Sequence, residues 1–302
     1  MSLDRLQVHC KWKIWFQQSF DNRGYKQVKQ LCAFLVTGLP LLLGTPLVSG
    51  DDVAPIAWWD FDQDVENAAR DRVAEIADPI EGRFRRTPGV AGRGLKLDGF
   101  TTVIVRQAAA APKLDDALTV EAWVALAAYP WNWCPIVSCR DDQPAGYAFS
   151  VGPRGQIQLQ LAVDDEVQTC TSEDFVLPLR KWVHVAASFD PRRGLVLYIN
   201  GQPCGETDVT GQPALAADID LRLGAPHAPT KPAHIHREHG TLPSWFSLDG
   251  ILDEVKIYDR ALPAKAIAAE YRRHRQAAAP ELPPRVMPAG PPGPGRFGAY
   301  YC

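Results

Sequence analysis

Trp182-Val-His-Val-Ala-Ala-Ser-Phe-Asp-Pro-Arg-Arg-Gly-Leu-Val-Leu-Tyr-Ile-Asn-Gly-Gln202 is the stretch on which the fold turns. Val183, Val185, Ala187 and Phe189 alternate with Trp182, His184, Ala186 and Ser188, the two-residue period of a strand. Asp190-Pro191-Arg192-Arg193-Gly194 supplies a turn, with proline pre-setting φ early and glycine accepting a positive φ at its end. Leu195, Leu197 and Ile199 resume the alternation, with Val196 and Tyr198 on the other face. Asn200-Gly201 then closes the pattern, since both residues tolerate the positive φ of a type I′ hairpin turn. Both faces carry apolar side chains, which places the hairpin inside a two-sheet sandwich rather than on a one-sided sheet.

Working outward, short strand-like runs recur on either side. Ile56–Asp62, Thr101–Val105 and Leu118–Val124 precede the hairpin, the last with Val120, Ala122 and Val124 on one face. Pro135–Cys139, Tyr147–Val151, Gln156–Val163 and Glu166–Cys170 follow at regular spacing, separated by Asp-Asp and Gly-Pro-Arg-Gly turn signals. Ile219–Leu223 reads as a further strand. Residues 64–92, charged and broken by Pro79, Pro88 and glycines, read as a loop with a short helix at Glu66–Ile76. Residues 224–244 read as a long loop. Pro263 sits where a first helical residue belongs, and Ala264–Ala277 has high helix propensity. Pro280–Gly295 is a Pro/Gly-rich linker, and the apolar run to Cys302 reads as the start of a further module.

Several of these segments carry a family resemblance. The Trp-x-His-x-Ala strand at 182–186 and the Leu-x-Leu-Tyr-x-Asn-Gly strand at 195–201 form one half of it. The other half is Phe246–Leu262, with Ile251-Leu252-Asp253-Glu254-Val255-Lys256-Ile257-Tyr258-Asp259-Arg260-Ala261-Leu262 at its centre. Trp59-Asp60-Phe61-Asp62, Gly92–Gly99 and Thr119-Val120-Glu121-Ala122-Trp123-Val124 fit the same pattern. From about residue 55 to 276 the chain resembles a laminin-G-like domain of the concanavalin A-like lectin/glucanase class. The resemblance implies an all-β jelly-roll sandwich of two antiparallel sheets with a short C-terminal helix. It also implies a structural Ca²⁺ held by Asp253, with Asp98 and the Asp60–Asp62 region supplying other oxygens, the hard ligands that this ion takes.

The totals restrict the function classes. Charged residues make up 22% of the 302 residues and the formal net charge is −3, so composition gives no polybasic argument for nucleic acid or a membrane surface. The 26 prolines and 23 glycines suit many short strands and turns. Residues 31–50 are uncharged and mostly apolar, preceded by Arg23, Lys26 and Lys29 and followed by Asp51-Asp52, the plan of a secretory signal peptide or a signal anchor. The organisation expected is a leader over 1–50, a sandwich over 51–278 and a linker over 279–302. A membrane is met only through the possible anchor, and the sandwich lies outside the cytoplasm, secreted or at the periplasm or cell surface. Export permits disulfides among Cys134, Cys139, Cys170 and Cys204, with Cys170–Cys204 favoured because both flank the central hairpin.

Catalytic signals are missing. The Glu-x-Asp-x-x-Glu strand of related sandwich glucanases, which puts two carboxylates on one face, does not occur, and Asp253 and Glu254 as neighbours should point to opposite faces. No nucleophile elbow, zinc-protease helix or phosphate-binding glycine loop is present. Aromatic loops are the binding candidates. Tyr129, Trp131 and Trp133 lie within five residues, with Asn132 between them to take hydroxyl hydrogen bonds, and Trp245 ends the long loop. Flat rings bury the apolar faces of sugars. The alternative is that the rings plug the end of the sandwich; Trp123 and Trp182, inside strands, read as core. His227, His234, His236 and His239 carry only weak metal spacing. The expected function is a non-catalytic carbohydrate-binding or adhesion module for a polysaccharide or glycoconjugate, one that targets an attached hydrolase. The alternative is a structural or protein-interaction domain without a glycan site.

Overall fold

The computed structural model describes residues 53–63, 65–172, 174–216, 218–228 and 245–282. The leader, His234, His236, His239 and the chain beyond 282 lie outside them. In chain order the strands are β1 (Ala57–Trp59), β2 (Ala68–Arg70), β3 (Ala77–Glu81), β4 (Phe84–Pro88), β5 (Arg93–Asp98), β6 (Val103–Arg106), β7 (Leu118–Leu126) and β8 (Cys134–Cys139). They continue with β9 (Tyr147–Val151), β10 (Ile157–Val163), β11 (Glu166–Thr171), β12 (Val183–Asp190), β13 (Gly194–Ile199), β14 (Gln202–Thr207), β15 (Leu221–Leu223) and β16 (Asp249–Tyr258). One α-helix, α1 (Ala264–His274), follows.

Two antiparallel sheets pack face to face. The first runs β14-β13-β12-β7-β16-β5-β4, with β1 also paired to β16. The second runs β11-β10-β9-β8-β15-β6-β3-β2. The hairpin forms as read, with Val185 opposite Ile199 and Asp190 opposite Gly194. Asn200 and Gly201 have φ of 52° and 74°, the left-handed pair of a type I′ turn. Gly201 is also required sterically: a Cβ there would sit 2.9 Å from the Cα of Ala268 in α1.

Alternation decides what each strand buries. Val183, Val185, Ala187 and Phe189 of β12 pair with Val124, Ala122, Val120 and Leu118 of β7, and this face fills the space between the sheets. The other face of the hairpin is apolar for a different reason than a second sheet. Helix α1 covers it, and Ile267 and Leu262 pack with Ala186, Tyr198 and Tyr258.

Residues 64–92 depart from the sequence reading. They form β2, β3 and β4, and no helix occurs at Glu66–Ile76. Asn67 and Glu75 adopt left-handed φ of 49° and 59°, which no α-helix tolerates. In β3 the inward positions are Asp78 and Ile80, so half of its buried face is a carboxylate and the apolar period is invisible.

That carboxylate belongs to a buried ion cluster. Arg106, at the end of β6, places Nη1 2.7 Å from Asp71 and Nη2 2.6 Å from Asp78, and its Nε donates to Asp78 at 2.9 Å. Trp59 Nε1 donates to Asp78 at 2.7 Å, and the guanidinium carbon lies 4.9 Å from a Trp59 ring centroid. Asp71 also accepts the backbone N–H groups of Trp58 and Val73. Each member is at most 2% exposed. Arg106→Met would leave two carboxylates buried without their cation, a loss of about 3–5 kcal/mol. Urea denaturation should show the midpoint falling accordingly; a loss typical of a surface site would place the cluster outside the stability of the fold.

Candidate functional site

The aromatic loop Ala127–Trp133 leaves β7 and enters β8, and Ala127 N–H donates to the Asp249 carbonyl at 2.8 Å. Tyr129 Oη donates to the Leu177 carbonyl at 2.7 Å, and its ring fills the space left by Gly155, where a Cβ would be 2.6 Å from the ring. Trp131 packs on Phe246 with centroids 4.5 Å apart. Trp133 lies against Gly152, and its own N–H donates to the Asn132 side chain at 2.8 Å. These three rings are half-buried and hold the loops at this end of the sandwich together. Trp245, next to Phe246, is 49% exposed. Ser247 N–H donates to the Gly99 carbonyl, which brings the exposed ring of Phe100 to the adjoining loop. The structure thus gathers Tyr129, Trp131, Asn132, Trp133 and Trp245 at one end, with Trp245 turned outward.

The acids expected to hold Ca²⁺ are not gathered in the same way. Asp253 is fully buried in β16, and its Oδ2 accepts Val90 N–H at 2.7 Å and Ala91 N–H at 3.1 Å; Oδ1 accepts Glu254 N–H at 2.8 Å. A Cβ at Gly89 would meet Oδ2 at 2.3 Å, so the β4–β5 turn is wrapped directly on this carboxylate. Asp62 holds the far side of the same turn through Arg93 N–H at 2.7 Å, and Asp60 pairs with Arg72 at 2.6 Å. Asp98 stands opposite Asp249, whereas Leu95 stands opposite Leu252, so Asp98 and Asp253 mark opposite ends of the β5–β16 ladder. There Asp98 accepts Phe100, Thr101 and Thr102 N–H groups and caps the β5–β6 turn. Burial works to raise its pKa, but the Thr101 and backbone hydrogen bonds outweigh it and hold the carboxyl well below the usual range.

This set does not fit a calcium ion. Backbone donors occupy the Asp253 oxygens, a guanidinium occupies Asp60, and Asp98 is elsewhere. Among the described residues no group of three or more His, Cys, Asp or Glu is arranged to hold a metal. His227 approaches the Ser138 carbonyl at 3.3 Å instead of an acid.

A feature hidden in the sequence sits beside Asp253. The register of β16 on β7 shifts between Asp253 and Lys256, and Glu254 has a φ of 51°. This bulge breaks the alternation, so Asp253 and Glu254 share the outer side of the sheet instead of facing opposite ways. Glu254 lies 3.2 Å from Lys256, which also lies 2.8 Å from Glu270 of α1 and 3.8 Å from Glu121. Glu121 meets His184 Nε2 at 3.2 Å and accepts Tyr258 Oη at 2.8 Å. Burial alone would raise the pKa of Glu121; His184, Lys256 and Tyr258 reverse that and lower it.

Trp123 lies on this outer face beneath α1, stacked on Tyr271 at 5.9 Å, so it is buried as read but outside the inter-sheet core. Trp182 is half-buried and lines a recess of about 290 Å³ between Trp123, Asn200 and the end of α1. A second recess, of about 640 Å³, lies along Arg83, Arg85 and Lys96. The four described cysteines are free thiols. Cys170 and Cys204 nonetheless sit on the edge strands β11 and β14 of the two sheets, and a Cβ at Gly205 would be 3.5 Å from Cys170 Sγ. Burial pushes the Cys204 thiol up to about 12, with Cys170 adding to the shift.

Burial likewise pushes the Asp253 carboxyl up to about 8, overcoming its backbone hydrogen bonds, and Glu254 adds like-charge repulsion. A folded-state pKa above the ordinary value of 3.8 means that the folded chain holds this proton more tightly. Its contribution to stability is present at acid pH and is lost as pH rises through about 8. Denaturation midpoints measured between about pH 5 and pH 9 should therefore decline in the parent and decline less steeply in Asp253→Asn. Equal slopes would mean that Asp253 is ionised throughout.

Comparison with known proteins gives a consistent answer on family. The family profile described as the concanavalin A-like lectin/glucanases superfamily, of laminin-G type, matches residues 100–268. No curated protein sequence matches significantly. Among solved structures, the binding domain of Paraclostridial Mosquitocidal Protein 1 superposes with a TM-score of 0.53 at 13% identity, over 73% of this chain and 52% of that one. The binding domain of botulinum neurotoxin serotype G gives 0.54 at 14% identity, over 74% and 52%. Domain 4 of the arabinanase AbnA from Geobacillus stearothermophilus, a complex with arabinotriose, gives 0.50 at 18% identity, over 71% and 97%. The chain thus spans about half the length of the two toxin binding domains and nearly all of the arabinanase domain. At these identities the likeness is one of fold, and with the profile match over more than half its length the chain belongs to the concanavalin A-like lectin/glucanase superfamily.

Proposed function

We propose that this chain is a non-catalytic, extracytoplasmic glycan-binding module that holds a polysaccharide or glycoconjugate at the aromatic end of the sandwich. The observation that carries this reading is Trp245: a large ring 49% exposed, beside the packed Trp131–Phe246 pair and the exposed Phe100. A rigid, half-exposed indole offers a flat apolar face to a sugar at little conformational cost. The solved domains of the same fold include one captured with arabinotriose, which supports the reading by analogy. The rings on Tyr129, Trp131 and Trp133 shape that end rather than contact the ligand themselves. Their packing favours one second reading, an interaction domain in which the rings serve folding alone.

Trp245→Ala separates the two. Removing an exposed ring should change stability by no more than about 0.5 kcal/mol. Retention in affinity gels cast with arabinan, xylan, β-glucan or pectin should fall about tenfold or more for the polymer that the parent binds. Unchanged retention would remove Trp245 from the site. A folded parent that binds no polymer would leave the interaction domain.

Export would expose Cys170 and Cys204 to oxidation, and their positions on facing sheet edges suit a bridge that staples the open side of the sandwich. Protein secreted into an oxidising compartment should lose the mass of two hydrogens, with a 170–204 cross-link in its peptide map. Two fully alkylatable thiols at these positions would show that the edge stays unstapled.

A further inference from the structure

The recess under the end of α1 is lined by cations, aromatic rings, His274 and the Ala277–Pro280 segment, and by no carboxylate. Arg180, Lys181 and Arg275 surround it, with Trp182, Tyr271 and Asn200. No described carboxylate pairs with any of the three cations. Glu270, the acid nearest in sequence to Arg275, pairs with Lys256 and Arg273, and Glu281 lines the separate recess along Arg83 and Arg85. Trp182 Nε1 is buried without a partner. Asn200 Oδ1 accepts His184 N–H at 3.1 Å, which leaves its amide nitrogen as the remaining group, again a donor.

The backbone here is held in a costly shape. Arg180 has a φ of 63°, a conformation that a non-glycine residue adopts only when its surroundings enforce it. Its N–H donates to the Leu126 carbonyl at 2.7 Å, and Nη2 donates to the Leu282 carbonyl at 3.0 Å. The second bond ties down the segment Ala277–Leu282, part of which forms one wall of the recess. A volume of about 290 Å³ is at the lower end for small-ligand sites, enough for one sugar ring and its substituent.

We propose that this recess binds a single anionic sugar unit, with its carboxylate or sulfate among Arg180, Lys181 and Arg275 and its ring against Trp182 and Tyr271. Three cations without a carboxylate partner and the Asn200 amide nitrogen match a ligand rich in acceptors and carrying negative charge. The flat rings match the apolar face of a pyranose. That the ligand is a saccharide rests on the glycan-binding reading above; that it is anionic rests on the recess, which shares no lining residue with the aromatic loop end.

The full chain is titrated calorimetrically with trigalacturonate, its neutral methyl ester and a sulfated heparin disaccharide. At least one acid probe should bind, at least about tenfold more tightly than the ester and more weakly as salt is raised. The stronger of the two acids identifies the anion as carboxylate or sulfate. In Lys181→Glu/Arg275→Glu, two exposed positions at which folding should be kept, affinity should drop at least about tenfold, whereas Lys113→Glu, an exposed cation outside the recess, should leave it unchanged. Equal binding of ester and acids, full affinity in the double variant, or no binding of either acid by the folded parent would each overturn the proposal. Acid binding that survives when no neutral polysaccharide is retained would sink the loop-end reading and leave this site standing.

Discussion

Arg106 is the constraint around which the two sheets are assembled. A guanidinium at 2% exposure is tolerated only with its charge met and its donors directed, and Asp71 and Asp78 do both. Asp78 is also the acceptor for Trp59, so the ring of the first-sheet strand β1 is positioned by a carboxylate from the second sheet. Asp71 fixes the chain between β2 and β3 through two backbone donors. An oily contact would let the sheets slide; a directional cluster sets their register. The neighbouring apolar core, from Val120 to Leu223, supplies the bulk of the burial but little of that orientation.

The same cluster explains which part of the fold was legible in the sequence. The hairpin of β12 and β13 could be read because its inward face is Val, Val, Ala and Phe and its turns are Pro-Arg-Arg-Gly and Asn-Gly. β7 and β9 announced themselves for the same reason, and β16 through the family motif at 246–262. β2, β3 and β4 did not, because residues such as Asp78 and Thr87 occupy buried positions and polarity masks the period. β14 was legible only as a strand-like segment around Cys204 without bounds, because it is an edge strand with few apolar residues and a register break, the composition that edge strands use against aggregation.

For the site, the aromatic loop was legible as a cluster of rings, but which ring stays in solvent depended on Gly152, Gly155 and Phe246, far away in sequence. The acid pair was misjudged because alternation assumes a regular strand, and the bulge at Glu254 is a backbone event with no side-chain signature. The recess was invisible for a third reason. It is assembled from β7, the approach to β12, a hairpin turn and the end of α1, and no local spacing relates these segments. Trp123 was legible as a buried ring, whereas Trp182, read as core, lies just before β12 and is half-buried; the helix that makes the outer face of a sheet into a second interior was not legible.

The position of β16 has a consequence for how the domain is made. It is the last of the described strands in chain order, yet it lies in the middle of the first sheet, between β7 and β5, and also carries β1. Until Tyr258 has been synthesised, that sheet exists as two fragments with bare hydrogen-bonding edges on β7 and β5. Vectorial synthesis therefore cannot complete the sandwich piecemeal, and closure joins segments nearly two hundred residues apart, a high-contact-order step that favours slow folding after release. Until then its open edges remain available to other chains, so edge-to-edge pairing competes with folding for longer than in a sheet built from sequence neighbours.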